Sequence, residues 1–383
     1  MSSRFLFRLG LTLLLPLAGL APRAGAADEK DSGAALKAAA AFYEGIRVET
    51  LDNGLRVYLK PVAGSPTVTV MTAYKVGSAD EDLTATGLSH YLEHLMFKGT
   101  EKIKPGDIDR ATLRNGGANN AYTSEDYTIF HFDFDKERWQ VALDIEADRM
   151  VNLRIDAAHE FEQEKGAVIN ELLRNEDQPW DLEQKAILPL IFGKEAPYGH
   201  PVIGERKQVE DATAAVITAH YKKWYHPNNA SLVIVGGIDP DEALKAVKAK
   251  FGSLPKVELP ARKPVPKELP KRPAELVMES KFDTARMLMG FATVRTGTPD
   301  DAVLDVIQAV LTGGRTGRLY KKLVEEDQVA TPDVTASNNS GRYPGWFSIQ
   351  VEVLPGKKRE PVEKTVLAQL KKLADEAVSP AEL

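Results

Sequence analysis

The pentapeptide HYLEH at positions 90–94 brings two imidazoles and a carboxylate into an apolar stretch that predicts a helix over residues 87–97. Side chains three and four residues apart share one face of a helix, so His90, Glu93 and His94 converge. Two imidazoles one turn apart suit a tetrahedral zinc ion and leave room for a third ligand and a water. Glu93 would take the proton of that water, whose pKa zinc lowers towards about 7. The order H-x-x-E-H is a metallopeptidase signature.

A third ligand is expected from the acid-rich helix predicted over residues 157–175. Glu164 and Glu171 are seven residues apart, which places them on the same helical face. Glu171 follows two apolar residues and is the predicted ligand, and Glu164 is predicted to orient or tune the site. Two alternatives stay open at this point. The histidines could lie on the surface of an ordinary helix, and Glu162 and Glu164 could be solvated.

The segments around these residues predict an α+β architecture. Asn53-Gly54 interrupts residues 48–59 as a hairpin turn would, and residues 67–74 are rich in β-branched side chains and predict a buried strand. Residues 122–134 alternate and predict one long strand. The remaining predicted helices of this part cover 108–115, 138–153 and 240–251.

The order of elements predicts two domains. A Pro- and Lys-rich segment at 256–274 predicts an extended linker between a zinc-binding domain at 47–255 and a second domain at 275–383. The second domain repeats the order strand, two helices, strands, helix, which indicates duplication of an α+β unit with antiparallel strands. This second copy is expected to be incomplete at its C-terminus, as a fragment or a reduced domain.

The N-terminus predicts a signal peptide over residues 1–26, followed by a loose leader at 27–46. Arg4 and Arg8 precede an apolar run that is too short for a stable membrane span, and the small residues before Ala27 predict cleavage after Ala26. An uncleaved anchor is the alternative. We therefore expect a periplasmic or secreted protein with no stable membrane anchor.

Composition limits the remaining chemistry. The sequence has no cysteine, which excludes disulfides, thiolate ligands and a cysteine nucleophile. Its net charge is -6, and cleavage after Ala26 would remove three arginines and no acid. An acidic exported chain is a poor partner for nucleic acid or anionic lipid, so neither is expected.

Several motifs resemble the pitrilysin/insulinase metallopeptidases, particularly their two-domain bacterial and mitochondrial-processing-type members. The resemblance runs from about residue 48 to 353, and the spacing from His94 to Glu171 fits the family's ligand spacing. The matching segments are KVGS at 75–78, GLSHYLEHLMFKGT at 87–100, NNAYTS at 119–124, PYGHP at 197–201 and PNNA at 227–230.

The resemblance implies duplicated two-layer α/β-roll domains that form half of a clamshell. It also implies one Zn²⁺ per chain at His90, His94 and Glu171, with Glu93 as the base and Glu164 as an accessory acid. In the family a strand that matches Asn120, Ala121 and Tyr122 binds substrate. From the residues alone, Asn120 could equally be a turn or cap residue.

One departure from the family pattern concerns two oxyanion-stabilising side chains. Family members that complete the site in one chain carry an Arg and a Tyr where this chain has Val324 and Thr331. Valine has no donor and threonine is too short, so a paralogous partner subunit is expected to supply the pair, and otherwise a homodimer. Arg318 or Arg342-Tyr343 could substitute.

Three functions are compatible with these residues. The first is a zinc endopeptidase subunit acting on extended peptides, since an edge strand binds main chains with little side-chain preference. The second is a non-catalytic scaffold or binding subunit of a peptidase heterodimer, and the intact HYLEH motif argues against it. The third is a zinc hydrolase of a non-peptide substrate.

Overall fold

The protein is described as a computed structural model that covers residues 3–9 by backbone alone, 37–155, 160–264, 274–379 and 382. The strands are β1 Ser3–Leu9, β2 Arg47–Thr50, β3 Arg56–Pro61, β4 Thr67–Tyr74, β5 Ala118–Thr123, β6 Thr128–Asp135, β7 Ala230–Gly236, β8 Glu275–Ser280, β9 Ala285–Ala292, β10 Ala330–Asn339 and β11 Trp346–Val353. The α-helices are α1 Leu88–Leu95, α2 Asp107–Arg114, α3 Gln140–Asn152, α4 Glu160–Glu176, α5 Asp181–Phe192, α6 Arg206–Asp211, α7 Ala214–Trp224, α8 Pro240–Phe251, α9 Pro299–Thr312 and α10 Arg359–Asp375.

Two compact units divide the chain. The first unit comprises Ala39–Asn175 and His200–Lys263, and the second comprises Met1–Ala38, Glu176–Gly199 and Pro264–Leu383. Each unit combines one sheet with helices, which confirms the predicted α+β class.

The first unit has a six-stranded sheet in the order β2-β3-β7-β4-β6-β5. The predicted hairpin is present, since β2 and β3 pair antiparallel around Asn53 and Gly54. The sheet is mixed rather than wholly antiparallel, because β3 and β7 run parallel. Two parallel strands need a long crossover connection, because the chain must return to the end of the sheet at which the first strand began. The segment between β3 and β7 is long and contains helices, so it can form this crossover.

The single strand predicted over residues 122–134 is wrong. The structure has two strands, β5 and β6, which pair antiparallel from Ala118 opposite Asp133 to Thr123 opposite Thr128. The turn forms because Ser124 N–H donates to the Tyr127 carbonyl at 2.8 Å and the Ser124 hydroxyl oxygen accepts from the Tyr127 N–H at 3.2 Å. This hairpin makes β5 the edge strand of the sheet.

Alternation along β4 explains how the sheet meets the helices. Val68, Val70, Thr72 and Tyr74 are buried, and the residues between them are exposed or half-buried. The buried side joins apolar side chains of α1, α3 and α8 in one hydrophobic core. This core fixes the helix that carries the HYLEH motif to the sheet.

The second unit has a five-stranded sheet in the order β10-β11-β9-β1-β8. Within it, β9, β11 and β10 are adjacent and antiparallel, as β4, β6 and β5 are in the first unit. The repeated strand order agrees with the predicted duplication. The residues of β1 fall inside the predicted signal peptide, and positions 10–26 lie outside the described residues.

The predicted domain bounds differ from these units at α5. That helix lies inside the first predicted domain, yet it belongs to the second unit. Arg286 of β9 donates from Nε and Nη2 to Glu183 Oε1 at 2.9 and 2.7 Å, and both side chains are buried. Gly290 has no side chain, so Ile187 and Ile191 pack directly against β9.

The segment predicted as a linker at 256–274 is in part bound to the first unit. Val257 exchanges hydrogen bonds with the Asn228 side chain, and the Arg262 guanidinium lies over Trp224, so this stretch is held by the first unit. Residues 265–273 lie outside the described part of the chain.

Among the residues that the structure describes, no helix has the length and apolar character needed to cross a membrane.

Candidate metal centre

Helix α1 carries the motif and begins at Leu88, directly after its N-cap residue Gly87. Gly87 has φ +85°, and a Cβ there would lie 2.5 Å from the Ile203 carbonyl oxygen, so only glycine fits. Leu88, Tyr91 and Leu92 are buried in the core of the first unit. Their burial leaves the opposite face of the helix to the two histidines.

Helix α4 packs against α1 through an aromatic contact. The Tyr91 and Phe161 rings stack with centroids 5.1 Å apart, and the Tyr91 hydroxyl donates to the Phe161 carbonyl. Phe161, Glu164, Val168 and Leu172 are buried at helical spacing. The acidic residues of α4 therefore reach the face of α1 that bears the histidines.

The structure brings His90, His94 and Glu171 together. One potential ligand atom from each lies within 4.8 Å of the others. His90 Nε2 lies 3.6 Å from Glu171 Oε1, and His94 Nε2 lies 3.4 Å from Glu171 Oε2.

These separations fit a zinc ion. Two zinc bonds of about 2.1 Å at a tetrahedral angle place their ligand atoms about 3.4 Å apart. Two imidazoles and one carboxylate are also a donor set found in catalytic zinc sites, which leave one position for water or substrate. The two separations between a histidine nitrogen and Glu171 are close to this value, and the donor set is one that zinc takes, so the residues present fit this ion.

The other nitrogen of the His94 ring faces a second carboxylate. His94 Nδ1 lies 3.4 Å from Glu164 Oε2, and Lys98 Nζ lies 2.8 Å from Glu164 Oε1. A carboxylate on the far nitrogen of a liganding histidine fixes the tautomer and the ring orientation. Glu164 is therefore placed to orient His94, while Lys98 holds Glu164.

The electrostatics of the three-residue cluster differ between its two histidines. Burial and the neighbouring His94 lower the pKa of His90 to about 4. Burial alone would lower the pKa of His94 as well, but hydrogen bonds with Glu164 and Glu171 outweigh it and raise that pKa to about 9. The hydrogen bond with His94 lowers the pKa of Glu171, so this carboxylate is ionised at neutral pH.

Glu93 lies on α1 between the two histidines and is largely buried. Burial raises the pKa of its carboxyl group, and a hydrogen bond from Thr123 partly offsets this rise. The Thr123 hydroxyl donates to Glu93 Oε2 at 2.6 Å. A raised pKa suits a group that must accept a proton near neutral pH.

A buried polar network holds the start of α1. Glu81 accepts the N–H of Gly87 at 2.7 Å and of Ser89 at 2.6 Å. Burial raises the pKa of Glu81 to about 8, against the effect of these bonds. Ser89 Oγ lies 3.1 Å from His220 Nε2, and burial lowers the pKa of His220 to about 3. The network satisfies N–H groups that a helix start leaves unpaired.

The predicted substrate-binding residues lie on the edge strand β5. Asn120 and Tyr122 are exposed, and Ala121 between them is half-buried. The Ala121 N–H is bonded to Asn120 Oδ1 at 2.9 Å, so this side chain also acts locally, as its residue type suggested. Tyr122 forms an edge-on ring contact with Tyr127 across the hairpin.

Val324 and Thr331 lie in the second unit, where Val324 packs against the hydrophobic core. The two proposed substitutes have structural contacts. Arg318 pairs with Glu382 at 2.6 Å, and Tyr343 is buried with its N–H donating to the Tyr198 hydroxyl at 3.1 Å.

Comparison with known proteins identifies the family of this chain. The family model described as "Insulinase (Peptidase family M16)" matches residues 56–204, which contain the motif and Glu171. The model described as "Peptidase M16 inactive domain" matches residues 211–383. The chain belongs to the insulinase family, M16. The predicted resemblance is thus confirmed, and the M16 "inactive domain" model covers the half without the motif.

Relatives of this M16 chain are named as zinc proteases. An uncharacterized zinc protease of Mycobacterium leprae is 28% identical over 346 residues, which cover 90% of this chain and 77% of that protein. The zinc protease PqqE of Helicobacter pylori is 27% identical over 349 residues, which cover 87% and 76%. The chain spans only 63% of a further zinc protease, from Streptomyces coelicolor.

Solved structures agree on the M16 fold. A protease from Helicobacter pylori superposes with a TM-score of 0.78 at 26% identity, covering 88% of this chain and 82% of that chain. Pitrilysin superposes with a TM-score of 0.69 at 18% identity, covering 88% of this chain and 37% of that chain. The second likeness concerns the fold alone.

Sequence reasoning missed several residues of the site. Lys98 and Thr123 lie within the motif segments but had no assigned role. Thr123 needed the β5–β6 hairpin to be recognised, because alternation along β5 then places it on the side of α1. Glu81 and His220 gave no signal, since their network joins segments far apart in sequence.

Proposed function

We propose that this chain is a zinc-dependent endopeptidase subunit that hydrolyses extended peptides. The observation that carries the proposal is the convergence of His90, His94 and Glu171 within 4.8 Å, with Glu93 on the same helix as both histidines. Membership of the M16 family and the names of the relatives support the same chemistry.

The residues divide the work as follows. His90, His94 and Glu171 would hold one Zn²⁺, which when bound acidifies a water and polarises the peptide carbonyl. Glu93 would accept the proton of the attacking water and pass it to the leaving amine. Glu164 would keep His94 in the tautomer that presents Nε2 to the ion.

The substrate would bind along β5. An edge strand offers unpaired N–H and C=O groups to an extended peptide, and such pairing depends little on side chains. Asn120, Ala121 and Tyr122 are the residues of β5 proposed to contact the substrate backbone. This arrangement suits a peptidase and not a hydrolase of small non-peptide molecules.

Replacing Glu93 tests the catalytic proposal. Glu93→Gln should retain zinc and lose hydrolysis of an unstructured peptide, because the amide cannot accept the proton. Glu162→Gln is a matched control on α4, since Glu162 pairs with Lys165 at the surface. Unchanged hydrolysis by Glu93→Gln would remove Glu93 from the mechanism and favour a non-catalytic role for this site.

A partner subunit is the second part of the proposal. We propose that a paralogous chain supplies the Arg and Tyr that this chain lacks at Val324 and Thr331, or that a homodimer completes the site. Loss of one oxyanion donor typically costs about 10²–10³ in rate. Peptide hydrolysis should therefore rise by roughly that factor when the partner is added. Full activity of the purified chain alone contradicts this part.

Export is the third part. The features of residues 1–26 support a cleavable signal peptide and a periplasmic or secreted protein. Mass spectrometry of the protein from its native host should find a mature N-terminus near Ala27. Recovery of the intact N-terminus from the cytoplasm contradicts it.

A further inference from the structure

Thr123 links the edge strand to Glu93. It is the last residue of β5, and its hydroxyl lies 2.6 Å from Glu93 Oε2. The same hydroxyl lies 3.4 Å from Thr128 Oγ1, across the β5–β6 hairpin. Two acceptors therefore compete for a single hydroxyl hydrogen.

Distance and charge decide this competition in favour of Glu93. Hydrogen bonds to an ionised oxygen are shorter and about twice as strong as neutral ones, and the shorter of the two contacts is the one to the carboxylate. Thr128 is buried, and its own hydroxyl donates to the Val76 carbonyl at 3.0 Å. The Thr123 hydrogen thus points to Glu93 Oε2.

One oxygen of the Glu93 carboxylate, Oε2, is consequently held by Thr123. We propose that Thr123 is a positioning residue that fixes Glu93 so that Oε1, and not Oε2, receives the proton of the attacking water. This inference rests on the proposed peptidase function. In that step a water O–H bond breaks and an Oε1–H bond forms. The water oxygen bonds to the peptide carbonyl carbon as the C=O π bond breaks, and the π electron pair moves to the carbonyl oxygen.

The position of Thr123 in the chain gives this hydrogen bond a second consequence. Thr123 directly follows Tyr122 on the strand proposed to pair with the substrate. The backbone that binds the peptide therefore also carries the hydroxyl that orients the base. Loss of the hydroxyl should act on the chemical step and leave peptide binding nearly intact.

The experiment compares Thr123→Val with Thr123→Ser in the zinc-loaded full chain, together with its partner subunit if hydrolysis requires one. Valine keeps the shape of threonine and removes the donor, whereas serine keeps the donor. A hydrogen bond to a charged group supports a loss in kcat of roughly 10- to 100-fold for Thr123→Val. KM and zinc affinity should stay within about twofold, and Thr123→Ser should stay within about threefold of the wild type in kcat.

Thr69→Val is the matched control. Thr69 lies on β4 of the same sheet and donates to the Asp133 carboxylate at 2.5 Å, away from the motif. Its kcat should equal that of the wild type. If Thr123→Val does not fold, Thr123→Ala provides the same comparison with serine.

A double-mutant cycle adds a readout independent of hydrolysis. The free energies of unfolding of Thr123→Val, Glu93→Gln and the double variant should be non-additive, because the two side chains share one bond. Wild-type kcat in Thr123→Val, or loss of zinc affinity by the same factor as kcat, overturns the inference. Failure of the proposed function gives a different result from failure of this inference. In that case Glu93→Gln, and not only Thr123→Val, would hydrolyse peptides at the wild-type rate.

Discussion

The Nδ1 atom of His94 lies 3.4 Å from Oε2 of Glu164, on the side of the ring opposite the nitrogen that faces the proposed metal position. Glu164 is buried, and burial disfavours the ionised form of its carboxyl group. Hydrogen bonds from His94 and Lys98 outweigh that effect and lower the pKa of Glu164. The Glu164 carboxylate is therefore placed to orient the His94 ring towards the proposed metal position.

Replacing Glu164 should weaken zinc binding without removing a ligand. We expect Glu164→Gln to lower zinc affinity by about 10- to 100-fold, because a neutral amide oxygen is a weaker acceptor for the Nδ1–H of His94 than the carboxylate is. Competition with a chelator of known affinity measures the change. Glu162→Gln on the same helix is the control and should bind zinc as the wild type does. Equal affinities for all three proteins would show that Glu164 has no such role.

The stability of the first unit should depend on His220 at acidic pH. Its folded pKa of about 3 lies below the unfolded value of 6.5, so between these values the unfolded chain binds a proton that the folded chain excludes. Unfolding is therefore favoured as the pH falls below 6.5, by up to about 1.4 kcal/mol per pH unit.

Denaturant unfolding at pH 4, 5, 6 and 7 measures this dependence. His220→Gln cannot take up the proton and should show a shallower decline in the free energy of unfolding than the wild type. Comparing slopes removes the loss that the substitution itself causes. Parallel pH curves for the two proteins would assign the acid sensitivity to other groups.

Binding of the substrate main chain at β5 should be visible with N-methylated peptides. A backbone hydrogen bond contributes about 0.5–1.5 kcal/mol net, so methylation of an amide that pairs with β5 should lower kcat/KM roughly two- to tenfold. Peptides with a changed side chain at the same position are the controls. A scan in which no N-methyl position alters kcat/KM would exclude main-chain pairing.

The ion pair between Arg286 and Glu183 should stabilise the second unit. Both side chains are at most 3% exposed, so Arg286→Met leaves a buried carboxylate unpaired and should cost about 3–5 kcal/mol of unfolding free energy. Lys371→Met removes an exposed pair with Asp375 and should cost less than about 1 kcal/mol. Circular dichroism during denaturant unfolding gives both values. Similar losses would mean that burial of the Arg286 pair has little effect.

Local patterns were sufficient to predict which side chains of the candidate metal centre share a helical face. His90 and His94 occupy one helical face because their spacing is four, and the spacing of seven places Glu164 and Glu171 together. The contact between α1 and α4 is not local, so no local pattern predicts it. From the sequence, only the ligand spacing of the family connected His94 with Glu171.

Two other features were missed, one because its local signal is weak and one because it depends on tertiary contacts. The β5–β6 turn is made of Ser124 to Tyr127 and contains neither glycine nor proline, so its one signal was the run of three polar residues Ser124 to Asp126, which interrupts the alternation. The membership of α5 in the second unit depends on Gly290 and the buried Arg286 pair. Neither contact leaves a pattern in the residues around α5.

The zinc content of the purified chain tests the central claim most directly. After incubation with zinc and removal of free metal, inductively coupled plasma mass spectrometry should find about one zinc ion per chain in the wild type and in Glu93→Gln. Glu171→Gln should retain much less under the same conditions. A folded wild-type protein without stoichiometric zinc would contradict the assignment of His90, His94 and Glu171 as a metal centre.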